Sequence, residues 1–504
     1  MSRTRRFFGG LASGYAHQTI ATVVGLWLTA FLLTRLGEHE YGLWLLVAQL
    51  LGYLALLDLG VVALLPRETA YATGRAGGVA AATDLPAIVG RTARLVLWQT
   101  PIVALAGLML WFYLPATWDA LRPPLGLVLA AFVVLFPLRI LHATLRGLQD
   151  LAFLGMAHTA TWLAGTAVAV ALVVAGFGLY GLAIGWVVGQ GLVPLVAWIR
   201  LRRRFPQALP RAISKSKTGS PARMLKRGAW VSVSQVSHVL FSSTDVIIVG
   251  AMWGPAAVVP YVITGKLAAV LANQPQLLMQ AAEPGLSEIK TGENRERAIQ
   301  VSAALTEAML IFGGVLVCVV LAVNEGFIGW WVGSEQWGGL VLTALILGRV
   351  MLSHWNLTIA TSLFSFGHER RLALTALASG VVTVGTSLVL VARVGVIGAP
   401  LGAILGVALV GLPANLVGLS REIGVSVGRL VGAHGQWLWR FALVVGIAIA
   451  IATQWTPPTL PSLVVAAAAV AVPYGLLMVR RLQHPPLSIY AHPKLKAFLT
   501  RWSS

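Results

Sequence analysis

Residues Ile199–Arg227 read IRLRRRFPQALPRAISKSKTGSPARMLKR, a stretch with ten Lys or Arg and no Asp or Glu. Long apolar runs lie on both sides of it, so it is a polar hinge between two greasy halves. Short loops near the ends of membrane spans collect Lys and Arg on the cytoplasmic side. That rule places this linker in the cytoplasm, and the rest of the topology is read outward from it.

Composition agrees with a bilayer. Hydrophobic residues make up 57% of the 504 and charged residues only 11%, where soluble domains carry about 25% charged. With 53 Gly and 18 Trp as well, the composition predicts an all-α polytopic membrane protein. The net charge of +20 raises the question of nucleic acid. The bases sit in short loops rather than on one folded basic face, so orientation in the membrane explains them better and no nucleic-acid partner is expected. Contact with anionic membrane lipids is a by-product of the same loops. A single cysteine, Cys318, inside an apolar run rules out a disulfide framework or a cysteine zinc site. The N-terminal MSRTRRFFGG leads into an apolar run reaching Leu33, too long for a secretory signal core, and reads as an uncleaved first span.

A hydrocarbon core of about 30 Å takes roughly 20 residues of helix. On that ruler the sequence predicts fourteen spans, near 9–34, 42–65, 88–114, 124–147, 153–176, 179–199, 229–252, 258–281, 300–322, 338–363, 371–393, 397–419, 437–455 and 460–480. Let the N-terminus, every second loop and the C-terminus share one side. Every Lys and Arg then falls on that side save Arg35, Arg122, Arg393, Lys266 and Arg349. Both termini are therefore expected in the cytoplasm. Trp111, Trp118, Trp253, Trp330, Trp331 and Trp337 gather at the opposite ends, as an interfacial belt would.

The two halves also repeat. One fixed shift carries Gly37 onto Gly254, Ala143-Thr144 onto Ala360-Thr361, and Gly178, Gly181, Gly185 and Gly189 onto Gly395, Gly398, Gly402 and Gly406. Glycine is common here, so composition bias is the competing explanation. Six spans per copy make the repeats parallel, which implies an N-lobe and a C-lobe about a central cavity. The expected organisation is an N-lobe at 1–199, the basic linker at 200–228, a C-lobe at 229–419, two additional helices at 420–483 and a cytoplasmic tail at 484–504.

Leu36-Gly37, Tyr41-Gly42-Leu43-Trp44, Leu56-Leu57-Asp58-Leu59-Gly60 and Arg67 resemble the start of bacterial Wzx-type polysaccharide flippases. Asp245-Val246-Ile247-Ile248-Val249-Gly250 before Gly254, and Tyr261 before Lys266-Leu267, resemble their second half. The motifs are diffuse and the resemblance covers about 1–420. Those flippases fall in the multidrug/oligosaccharidyl-lipid/polysaccharide (MOP) exporter superfamily, whose two-lobed fold the resemblance implies. It further implies movement of an undecaprenyl-pyrophosphate-linked oligosaccharide from the cytoplasmic to the outer leaflet of the bacterial inner membrane, with a polysaccharide polymerase among the potential partners. The two added spans are similar to those of the fourteen-helix members such as the lipid II flippase, although that flippase's arginine motif has no match here.

Ionisable groups at membrane depth cost about 2.5–3.5 kcal/mol each on insertion scales, so each needs an account. Asp245 and Lys266 stand equally far from the turn between Pro255 and Ala256, about 15 Å below it at ~1.5 Å per residue. They read either as a salt bridge or as a cavity-facing Lys266 that meets a phosphate. His17 and Asp58 are likewise symmetric about the first turn, as a self-satisfying pair or as a proton carrier. Asp245 and Glu307 join them as candidate groups for coupling to H+ or Na+. Arg349, in mid-span, offers a planar fork to a phosphate or to backbone carbonyls. Arg67, Arg139 and Arg146, near inner ends, would meet a polyprenyl pyrophosphate first or snorkel to headgroups. Asn273, Gln274 and Gln276 flank Pro275 in the most polar span and suit sugar hydroxyls; a kink is expected there.

No P-loop, HExxH motif or large outer loop is present in the sequence, so no enzyme, catalytic residue, metal or cofactor is expected. The reading is a lipid-linked oligosaccharide flippase working by alternating access. The alternatives are a cation-coupled multidrug exporter and, from another class, a membrane glycosyltransferase or ligase.

Overall fold

Glycines with positive φ decide where this chain reverses. Gly37 (φ 76°), Gly178 (φ 51°), Gly254 (φ 85°) and Gly395 (φ 75°) all occupy the left-handed half of backbone space, where a Cβ is strained. They are two of the five glycine pairs that the internal shift superimposes, so at these two places the repeat is one of turn geometry and not of glycine abundance alone.

The computed structural model describes residues 3–76, 78–79, 81–210, 232–233, 235–237, 239–241, 244–272, 295–482 and 487. Among them every regular element is helical. By internal contacts the chain divides into two units, Met1–Val239 with Gly254–Ala256, and Leu240–Trp253 with Ala257–Ser504.

In the first unit, α1 (Arg3–Ala55) is folded back at Gly37 (φ 76°, ψ 174°). The Tyr41 hydroxyl donates to Thr29 Oγ1 at 3.3 Å, two positions that a straight helix would hold about 18 Å apart. One α1 therefore supplies two spans. The second was expected unbroken over 42–65, and here the structure differs. After a 3-10 turn at Leu56–Asp58, Leu59 (φ 48°) and Gly60 (φ 69°) are both left-handed. The Asp58 carboxylate accepts the Gly60 N–H at 2.8 Å, a local bond that replaces the helical one. The chain resumes as α2 (Val61–Arg75). Next come α3 (Leu85–Phe112), α4 (Arg122–Leu135) and α5 (Arg139–Gly147), the last two split by a 3-10 turn at Phe136–Leu138 around Pro137. α6 (Leu151–Val174) and α7 (Gly178–Arg204) then pack with almost no side chain between them. A Cβ on Gly185 would stand 2.5 Å from the Ala169 Cβ, and one on Gly165 would stand 2.7 Å from the Gly185 carbonyl. Small residues let backbones approach where lipid offers no hydrophobic drive.

In the second unit α8 (Thr244–Trp253) turns at Gly254 into α9 (Pro255–Thr264). α9 continues as Lys266–Ala272 after a bend of 48°. The break falls at Gly265, directly before Lys266; the kink expected at Pro275 lies outside the described residues. Then follow α10 (Arg295–Trp331), α11 (Leu340–Ser365) and α12 (Glu369–Val394). α12 reverses at Gly395 into α13 (Gly398–Gly406), a π turn at Val407–Gly411 and α14 (Leu412–Ile423). The α12–α13 pair repeats the close packing of α6 on α7. The Ser379 hydroxyl donates to the Gly406 carbonyl at 2.7 Å, and that of Ser387 to the Ala399 carbonyl at 3.1 Å. After the short α15 (Val427–Gly432), α16 (Gly435–Gln454) and α17 (Leu460–Leu482) dock on α10. Tyr474 donates to the Ile311 carbonyl at 2.9 Å and receives the Trp437 indole N–H at 3.3 Å.

Ten helices are long and apolar enough to cross a membrane, and two bent pairs raise the count to twelve. Two of the ten, Gly14–Asp58 and Glu369–Ile423, are the stretches folded back at Gly37 and Gly395, and each is two spans. Fourteen spans were expected from the sequence; the described residues give ten to twelve candidate spans, and parts of the expected spans 229–252 and 258–281 lie outside them. It is a multi-pass membrane protein.

Candidate functional site

Asp245, on α8, is 9% exposed. Its Oδ2 receives the Tyr261 hydroxyl at 2.6 Å and Arg349 Nη1 at 3.2 Å, while Oδ1 receives the Val246 N–H at 2.9 Å. Arg349 reaches across from α11 and also donates to the Phe241 carbonyl at 3.4 Å. Depth placed Asp245 level with Lys266, but azimuth gives it to Arg349, and the expected Asp245–Lys266 bridge is replaced. Tyr261, quoted above only as part of a motif, is the partner that the sequence did not reveal. A long hydroxyl-bearing side chain five residues before Lys266 on the same hairpin was the available signal.

Lys266 forms no ion pair among the described residues. It opens the second half of a bent span. The bend is held by side chains: Asn324 Nδ2 donates to the Thr264 carbonyl at 3.0 Å, and the Thr264 hydroxyl accepts the Gly338 N–H at 2.8 Å. Asn273, Gln274 and Gln276 lie outside the described residues. Farther along α11, His354 Nε2 lies 3.1 Å from the Ala272 carbonyl, and Asn356 accepts from Asn415 at 2.9 Å.

Glu307 on α10 is 2% exposed and bound by Arg481 Nε at 2.6 Å. Arg481 also donates to Gln436 at 3.0 Å. A candidate coupling carboxylate is thereby clamped to α17, outside the repeat.

In the first unit Asp58, 1% exposed, is held at 3.5 Å by Arg139, with Gln99 Nε2 donating to its own carbonyl at 3.1 Å. The expected His17–Asp58 pair is not formed. His17 Nδ1 lies 3.0 Å from Thr159 Oγ1, and its ring meets that of His158 edge-on at 4.6 Å. Equal depth on two antiparallel helices did not mean facing sides. Arg139 is thus occupied by an acid and lies over the Phe136 ring at 5.4 Å. Arg67 donates to Tyr71 at 3.3 Å, and Arg146 is exposed. Among the described residues no group of three or more His, Cys, Asp or Glu is placed to hold a metal ion. Cys318 is buried.

One pattern joins these contacts. Among the described residues three carboxylates are buried in the spans, Asp58, Asp245 and Glu307, and each holds an arginine, namely Arg139, Arg349 and Arg481. Lys266 is left as a cation with no anion beside it among the described residues.

Residues 102–342 match the family described as Polysaccharide biosynthesis protein. The fold is similar to that of the lipid II flippase MurJ in an inward closed conformation, at TM-score 0.63 and 11% identity, covering 93% of this chain and 99% of that one. It is also similar to an inward-facing multidrug resistance MATE family transporter of the MOP superfamily, at TM-score 0.59 and 14% identity over 82% of this chain and 95% of that one. A MATE transporter of Vibrio cholerae, VcmN, follows at TM-score 0.54 and 13% identity over 84% and 98%. No curated protein matches the sequence. The chain therefore has the fold of the MOP-superfamily transporters, as the sequence resemblance implied.

Proposed function

Starting from a MOP-superfamily fold, we propose that this chain is a flippase for a polyprenyl-pyrophosphate-linked oligosaccharide, carrying it from the cytoplasmic to the outer leaflet of a bacterial inner membrane. The observation that carries this reading is that, among the described residues, each buried span carboxylate holds an arginine while Lys266 forms no ion pair. A dianionic headgroup cannot enter hydrocarbon unpaired. Lys266 supplies a cation at depth. Arg67 and Arg146 supply cations nearer the inner ends, where the substrate is presented. Arg349 acts differently from the initial expectation, since its charge is spent on Asp245. The match to a polysaccharide biosynthesis family supports the same substrate class.

In this reading the chain, with lobes at 1–199 and 229–419 joined by the basic linker, works by alternating access, with both termini in the cytoplasm. The sugar hydroxyls meet Asn273, Gln274 and Gln276, and the polyprenyl tail stays in lipid. Coupling is to H+ or Na+.

The MATE likeness keeps a multidrug exporter as the second reading. Such a carrier needs an acid free to meet an organic cation, and among the described residues the three fully buried ones, Asp58, Asp245 and Glu307, are each paired. Proteoliposomes holding a fluorescent polyprenyl-pyrophosphate oligosaccharide separate the two. The proposal expects protein-dependent loss of quencher access, inhibited by polyprenyl pyrophosphate and indifferent to ethidium. Ethidium transport with no movement of the glycolipid would reverse the choice.

A further inference from the structure

We propose that Asn324 is a positioning residue for Lys266: its side-chain amide holds the break in α9 that sets the direction of the arm carrying that cation. The break lies at Gly265, where α9 bends by 48° into Lys266–Ala272. Two common causes of a bend do not account for it. Pro260 takes its N–H out of the ladder more than a turn before the break. Crowding is absent at Gly265, where an added Cβ would meet nothing closer than 3.6 Å. What remains is a side chain bonded into the helix from outside.

Asn324 comes from α10 and is 1% exposed. Its Nδ2 directs one hydrogen at the Thr264 carbonyl at 3.0 Å and the other at Thr343 Oγ1 at 3.1 Å. The Thr343 hydroxyl gives its own hydrogen to the Gly339 carbonyl at 3.0 Å. Its oxygen can then only accept, from Asn324 and from the Trp337 indole at 3.1 Å. The amide therefore has one workable orientation. Turned over, its Oδ1 would face the Thr264 carbonyl and an oxygen with no hydrogen left for it. In the orientation it takes, Oδ1 is buried with no hydrogen-bond partner among the described residues. An unmet buried acceptor costs free energy that an apolar side chain of similar size would not. The two donated bonds, and not packing, are thus what Asn324 contributes.

The far end of the arm is tied to α11. His354 Nε2 lies 3.1 Å from the Ala272 carbonyl, and a carbonyl only accepts, so this nitrogen is the donor. The arm is anchored at both ends, and Lys266 is its first residue. A helix sets the direction in which its side chains leave it. Releasing the 48° bend would swing an ammonium carried ~6 Å from its Cα by ~5 Å, well beyond the ~1 Å on which a positioned group depends. The proposal rests on the reading of Lys266 as the cation that meets the headgroup, and adds the residue that aims it.

The test is a double-mutant cycle on flipping of the fluorescent polyprenyl-pyrophosphate oligosaccharide in proteoliposomes, with wild type, Asn324→Leu, Lys266→Gln and the double variant. The proposal expects Asn324→Leu to flip about tenfold slower than wild type and the double variant to flip no slower than Lys266→Gln alone. A residue that acts through Lys266 has nothing to aim once the charge is gone. Flipping by Asn324→Leu at the wild-type rate overturns the proposal. So does a double variant slowed by the product of the two single effects, the mark of a residue that only supports the fold. Should Asn324→Leu fail to fold, Thr343→Val enters the same cycle, since it takes the second acceptor from the amide with little change of shape. A slowing of about threefold that vanishes in the Lys266→Gln background supports the proposal; a slowing that persists there, or none at all, overturns it. Flipping by Lys266→Gln at the wild-type rate would end the headgroup reading and the positioning role together. An uncoupled Asn324 beside a slow Lys266→Gln ends the positioning role alone.

Discussion

Removing Arg349 should cost the second unit about 3 kcal/mol, and removing Asp245 with it should recover most of that loss. The pair is 3.2 Å apart and Asp245 is 9% exposed. At an effective dielectric constant of ~20 the attraction is about 5 kcal/mol before desolvation. Arg349→Met would strand the carboxylate with two donors, Tyr261 at 2.6 Å and Val246 N–H at 2.9 Å. Those bonds offset part of the loss, and breaking one side of a buried pair costs about 3–5 kcal/mol in general. Asp245→Asn with Arg349→Met keeps the Tyr261 contact and removes both charges. The measurement is reversible unfolding in mixed micelles for the wild type, both single variants and the double variant, alongside glycan export in cells. The double variant should recover stability and export together, because Arg349 neutralises Asp245 and does not itself grip the substrate. A single-variant loss under ~1 kcal/mol would refute the burial argument. A double variant that is stable but dead in export would return Arg349 to the substrate.

Three further outcomes follow from the packing and the charges. Gly185→Val should destabilise the first unit by about 2 kcal/mol or more, since even a Cβ there would stand 2.5 Å from that of Ala169. Gly191→Ala, with nothing within 4 Å, should change the melting temperature little. Tyr474→Phe should cost about 1 kcal/mol by removing its bond to the Ile311 carbonyl and leaving the Trp437 indole N–H without its acceptor, and should raise hydrogen exchange in α16 and α17 before other helices. His434, between α15 and α16, is held down to about 4 from its usual 6.5 by burial first and then by the Arg481 charge. The folded state therefore binds fewer protons than the unfolded state between these values. Its contribution is complete above about pH 6.5 and is lost as the pH falls toward 4. Unfolding titrations of His434→Gln should be flatter over that window, and an unchanged slope would remove His434 from the account.

The many-span helical class and the reversal points were legible because hydropathy and left-handed glycines are local signals. Gly37, Gly178, Gly254 and Gly395 could be matched by register, and each does carry a positive φ. Partner choice was not legible. Asp245 meets Arg349 from 104 residues away and Glu307 meets Arg481 from 174 residues away. Depth along a helix can be counted from a turn, but the face a side chain presents depends on packing that the count ignores. The same gap separated His17 from Asp58 and gave it to His158. The break at Leu59–Gly60 was hidden for another reason: Gly60 is one glycine among 53, and the distortion is fixed by the Asp58 carboxylate rather than by composition.

The central claim is that Lys266, which forms no ion pair among the described residues, receives an anionic lipid headgroup. The direct test is the rate at which reconstituted wild type, Lys266→Gln and Lys266→Arg flip a polyprenyl-pyrophosphate oligosaccharide. The account predicts at least a tenfold slower rate for Gln, substantial recovery with Arg, and unaltered melting temperatures. Flipping by Lys266→Gln at the wild-type rate would contradict it.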